Sequence, residues 1–215
     1  MNTDSHFPVK HGVAAPVQER SRATAVKLVE AATRLLKRKT YAELSIAELA
    51  REAGRSVGVF YQRFGSKDDF LSVLLTDFFE RSAQIGATTE YRGTAEEIYA
   101  LRLEDNFRLV SENRNLWHAA LQRAAVEPGF WRQYGMYREG SIQLTVQLVE
   151  GALGRPLSEE ERRRMALAGQ VFNSVINNQI INGPGPLMLE SEDFFPELRS
   201  IVLAIARMPQ GATPP

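Results

Sequence analysis

From about Glu19 almost to the C-terminus, apolar residues recur every three or four positions, and no stretch alternates with a period of two. Such a chain can only bury its apolar side chains as stripes along helices, because it offers no face from which to build a sheet. The pattern predicts an all-α protein of about nine helices. Val26, Val29, Thr33 and Leu36 mark the first stripe. Ser45 with Glu48, Ser66 with Asp69, Thr94 with Glu97 and Ser158 with Glu161 each have the spacing of a capping box that opens a helix. Breaks fall at Gly54, Gly65, Gly86–Gly93, Gly151–Pro156 and Asn182-Gly183-Pro184. One long helix is predicted to begin at Pro128.

Composition narrows the class. Of 215 residues, 44% are apolar and 24% charged, ordinary for a globular chain with its own core. No run approaches the roughly 20 apolar residues of a membrane span, and the first twenty residues lack the apolar core of a signal peptide. Cysteine is absent, which fits a reducing cytoplasm and excludes disulfides and thiolate metal sites. The net charge of zero conceals an asymmetry. Met1–Lys67 carries 12 Lys and Arg against 6 acids, and every lysine lies there; the remainder is acidic to the same extent. The N-terminal third is therefore expected to meet a polyanion.

Four regions follow: a flexible arm over 1–18, a basic module over 19–66 that continues into a fourth helix to about 86, a larger aromatic-rich bundle over 87–208, and a disordered tail over 209–215. Within the basic module, Ile46, Leu49, Ala50 and Ala53 share one helical face. The repeat then stops at Ala53-Gly54 and restarts from Ser56 with Val57, Phe60, Tyr61 and Phe64. Two short helices joined by a tight glycine-containing turn make a helix-turn-helix, in which the first braces the second and the second enters the major groove. A plain helical hairpin would show the same break.

The wider pattern is more specific. Ala31-Ala32, Leu35-Leu36, Ser45-Ile46, Leu49-Ala50, Ala53-Gly54, Ser56, Gly58, Phe60-Tyr61, Phe64, Ser66-Lys67 and Leu71 together resemble the DNA-binding domain of the tetracycline-repressor (TetR) family. "FYQRFGSKDDFL" is the strongest part. The resemblance covers about a quarter of the chain. It implies that Tyr61 and Lys67 contact phosphates, with Ser45 adding a helix N-terminus. Val57, Gly58, Val59 and Gln62 lie where the groove would be met. Gln62 has the chemistry to read an adenine edge, and the valines that to meet a thymine methyl. Ser56 caps that helix, and Arg63 either binds phosphate or only its neighbours. Three departures from the family pattern stand out: Arg55 replaces an apolar residue and is a candidate backbone contact, Thr40-Tyr41 lacks the usual glycine, and Ala47 offers no side chain to a base.

The same resemblance implies a C-terminal domain that dimerises and binds a small molecule. Candidate ligand contacts, for a largely apolar ligand, are Phe107, Trp117, His118, Trp131, Tyr134, Phe172, Asn173 and Asn177; as core aromatics several would do no more than fill a bundle. Val175, Ile176, Leu198, Ile201, Val202 and Ile205 are the candidate dimer face. Partners are thus double-stranded DNA with a palindromic operator, a second copy of the chain, and an unidentified small molecule, with no membrane. Neither cofactor nor metal is expected. Catalytic signatures such as GxSxG, a P-loop, GxGxxG or HExxH are absent, so no enzyme is expected. A ligand-released repressor is the leading reading, and a helical small-molecule carrier with a vestigial DNA module the alternative.

Overall fold

The computed structural model describes residues 15–208, with side chains from Arg22 onward. Its elements are helical throughout this range: α1 (Ala15–Leu36), α2 (Ile46–Glu52), α3 (Val57–Phe64), α4 (Lys67–Thr88), α5 (Ala95–Glu112), α6 (Arg114–Val126), a 3₁₀ turn (Phe130–Tyr134), α7 (Gly135–Leu153), α8 (Glu159–Asn182) and α9 (Phe194–Ala206). The chain divides into two compact units, 1–77 and 78–215, and α4 contributes residues to both. Among the described residues no helix is long and apolar enough to cross a membrane.

In the first unit α1, α2 and α3 pack mutually around Leu28, Ala32, Leu44, Leu49, Phe60, Phe70 and Leu74, all essentially inaccessible. α1 starts at Ala15, so residues 15–18 are helical where a flexible arm was expected. The rest of the arm, 1–14, and the tail, 209–215, lie outside the described residues. Ser45 Oγ accepts the Glu48 N–H at 3.1 Å. The Glu48 carboxylate does not return the bond, because it holds Lys39 Nζ at 2.7 and 2.9 Å. Only half of that capping box forms.

The second unit packs α8 on α9 and sets α5 against both α7 and α9. Here both capping boxes are complete, at Thr94–Glu97 and Ser158–Glu161. The Glu161 carboxyl is pulled down to about 2, first by Arg155 and then by the Ser158 N–H. Two boundaries differ from the sequence reading. α4 does not stop at Gly86. A Cβ there would lie 2.9 Å from Leu144 Cδ2 and 3.0 Å from Arg102 Nη1, so this glycine serves close packing inside a helix rather than a break. The helix expected from Pro128 forms in two pieces. Gly129 takes φ 82°, and the 3₁₀ turn that follows has three residues per turn, which sets Trp131 beside Tyr134 with centroids 6.2 Å apart.

Candidate nucleic-acid interface and C-terminal cleft

The turn between α2 and α3 is closed by two backbone bonds, Gly54 N–H to Arg51 O at 3.1 Å and Arg55 N–H to Ala50 O at 2.8 Å. Gly54 has φ 63°, a conformation that costs glycine no Cβ clash. Ser56 Oγ then accepts the Val59 N–H at 3.3 Å and caps α3. The inner side of α3 is fixed by one ring. Phe60 is wholly buried, with its centroid 5.2 Å from Phe64 and 5.1 Å from Phe70 on α4.

That anchorage leaves the opposite side of α3 outward. Gly58 and Gln62 are exposed, and Val59 is half-buried. Val57 is 40% exposed and Tyr61 50%, so both side chains are open to a partner. Ser45 stands exposed at the start of α2. Arg55 is half-buried and donates from Nη1 to Gly54 O at 3.0 Å, so it reaches back over its own turn. Arg63 is half-buried, and burial lowers its pKa without discharging a group that titrates so high.

Lys67 is held more firmly than sequence suggested. Its Nζ donates to Ala42 O at 3.2 Å and lies 5.0 Å from the centroid of Tyr41. The Tyr41 hydroxyl in turn donates to Lys67 O at 2.5 Å. Burial, and secondarily Asp68, raises the pKa of this hydroxyl, so it stays protonated. Burial pushes the Lys67 ammonium down, with Asp68 opposing. No ion pair engages Lys67 among the described residues. Tyr41 is the neighbour of Lys67 that the sequence reading missed. It appeared only as a departure from a pattern, and nothing in the linear sequence ties position 41 to position 67. Cations and helix N-termini flanking an exposed helix face can grip phosphates while that face meets base edges.

In the second unit the predicted ligand residues part company. Trp117, Trp131 and Tyr134 join Phe78, Phe79 and Phe130 in one aromatic cluster with centroids 5.0–6.2 Å apart. Phe107 stacks on Phe194 and Phe195 instead. His118 is half-buried on α6. Phe172, Asn173 and Asn177 line a cleft of about 1060 Å³ among α4, α5, α7 and α8, large for a small-molecule site. Trp117 reaches that wall indirectly, donating from Nε1 to Asn177 Oδ1 at 2.8 Å. The cleft walls carry Arg102, Asp105, Arg138, Glu150 and Arg162, and so are more polar than the aromatic candidates implied, because the aromatics pack against one another.

The candidate dimer residues also divide. Ile176, Leu198 and Val202 are buried within the protomer, at 2%, 4% and 0% exposure, and cannot reach a partner. An apolar stripe packs on its own bundle before it can meet another. Val175 and Ile205 are half-buried, and Ile201 is outward at 55% exposure.

Comparison with known proteins agrees with this architecture. The sequence model described as "Bacterial regulatory proteins, tetR family" matches residues 28–74. The HTH-type transcriptional regulator HbdR of Aromatoleum sp. (strain CIB) is 36% identical over 86 residues, 39% of this chain and 36% of that relative's length. The chain thus aligns with about a third of that curated relative. Among solved structures, a tetR-family regulator from Streptomyces coelicolor superposes with a TM-score of 0.59 at 17% identity, over 86% of this chain and 87% of that one. A TetR regulator from Rhodococcus sp. RHA1 does so with a TM-score of 0.54 at 20% identity, over 87% and 95%. With a helix-turn-helix formed by α2 and α3, residues 28–74 of the chain match the tetR family of bacterial regulatory proteins, and the helical fold is that of solved TetR-family regulators.

Proposed function

We propose that the protein is a homodimeric transcriptional repressor that holds a palindromic operator through α3 and lets go when a small molecule fills the C-terminal cleft. The observation that carries the reading is the two-sided α3, with Phe60 wholly buried and Tyr61 half exposed, beside a lysine preset at the start of α4. Tyr61, Lys67 and Ser45 then take phosphates, with Arg55 and Arg63 as flanking cations. Gln62, Val57, Gly58 and Val59 face the bases. Two copies would place their α3 helices roughly 34–36 Å apart, one turn of duplex. Ligand release needs only that the ligand prefer the non-binding state, by about 1–3 kcal/mol for a typical coupling.

The test is a gel shift and footprint with DNA flanking the protein's own gene. A protected palindrome with two half-sites one helical turn apart is expected. Weak, sequence-blind binding that disappears with modest salt would instead fit a carrier with a vestigial module.

A further inference from the structure

We propose that the C-terminal cleft takes an amphiphilic monocarboxylate, with its carboxylate on Arg102 and its apolar body on the cleft floor. This rests on the reading of the cleft as the effector site. Arg102 is half-buried, and every hydrogen bond it makes goes to a neutral hydroxyl. Nη1 donates to Tyr91 Oη at 2.9 Å, Nη2 to Ser141 Oγ at 3.2 Å, and Nε to Thr145 Oγ1 at 3.3 Å. A guanidinium has five N–H donors, so two are left over. No carboxylate pairs with it among the described residues. Asp105 is linked to it through Tyr91, whose hydroxyl donates to Asp105 Oδ2 at 2.6 Å.

Three of the other four charges of the cleft are already matched. Arg162 pairs with Glu150, and Asp105 with Arg108 at 2.6 Å. Arg138, exposed on α7, adds to the positive potential. A part-buried cation short of an anionic partner, with donors to spare, is a ready-made seat for a planar oxyanion. Leu103, Leu109, Met165 and Phe172 are buried at the floor and supply the apolar half. The seat also abuts the helix shared by both units. A Cβ on Gly86 of α4 would lie 3.0 Å from Arg102 Nη1, so an anion drawing on this guanidinium acts on a group packed directly against α4.

The experiment uses the full chain with octanoate, decanoate and 4-phenylbutyrate, each beside its own primary amide. Binding is followed by fluorescence of the two tryptophans, one of which bonds the cleft residue Asn177. Each carboxylate that binds should do so more tightly than its amide. Arg102→Gln should weaken it roughly 10- to 100-fold, the worth of a charge-assisted hydrogen bond, and Arg102→Lys should fall between. The assignment is overturned if no carboxylate binds better than its amide, including the case in which neither binds, or if Arg102→Gln binds carboxylates like the parent. Operator release, measured in parallel, separates the two readings. Release by a neutral or cationic compound alone overturns the carboxylate assignment and leaves ligand release standing. Carboxylates bound through Arg102 without effect on the operator support the assignment and overturn ligand release.

Discussion

Replacing Lys67 by Gln separates the two jobs that the structure gives this side chain. Its ammonium bonds Ala42 O and lies over the Tyr41 ring, yet it has no ion-pair partner among the described residues. The local contacts of this half-exposed group are worth about 1–2 kcal/mol to folding, as one hydrogen bond and one partly solvated cation–π contact. The phosphate contact is worth more and depends on salt. Each neutralised phosphate contributes roughly 0.9 to the slope of log K against log[salt], so two protomers would lose about 1.8. Between 50 and 200 mM salt, a fourfold change, the parent's affinity should then fall roughly 12-fold further than the variant's. Fluorescence anisotropy on a labelled operator across that range measures the slope, and a denaturation curve measures stability. A parallel shift of the binding curves with unchanged slope, whatever the stability, would refute the phosphate role and leave Lys67 as a brace for the loop before α2.

Other expectations follow from the same geometry. Gln62→Ala should cost roughly 1–3 kcal/mol of preference at one base pair and little elsewhere; selectivity left intact over a panel of operator variants would remove Gln62 from the reading face. Ile201→Glu, on the one outward candidate of the dimer set, should raise the dimer dissociation constant roughly 100-fold if each copy loses about 1.5 kcal/mol of burial. Sedimentation over a concentration series decides this, and an unchanged dimer would place the interface elsewhere. Burial pushes the Tyr99 hydroxyl up to about 12, against an ordinary value near 10. The folded state keeps a proton that the unfolded chain loses, so this stabilisation is complete below pH 10 and is lost as pH rises to 12, by roughly 3 kcal/mol at most. Tyr99→Phe should remove that part of the alkaline decline in urea unfolding curves, and an undiminished decline would assign it to other groups.

The sequence by itself determined the helical class, the places where most helices begin, and the two-sided character of α3. Those are local matters: periodicity, a serine or threonine at a cap, a glycine at a tight turn. What failed at Gly86 failed because a glycine removed for packing and a glycine that ends a helix look alike in one dimension, and only Leu144 and Arg102 on other helices tell them apart. Tertiary structure alone decided that Tyr41 sets Lys67, that Trp117, Trp131 and Tyr134 join one aromatic cluster, and that Ile176, Leu198 and Val202 are spent inside the protomer. It also decided that Arg102 faces a cleft with only hydroxyls for company. The physical reason is common to all four. An apolar or charged side chain states what it must be paired with, but the packing of one element on another chooses the partner, and the sequence around a residue does not encode that choice.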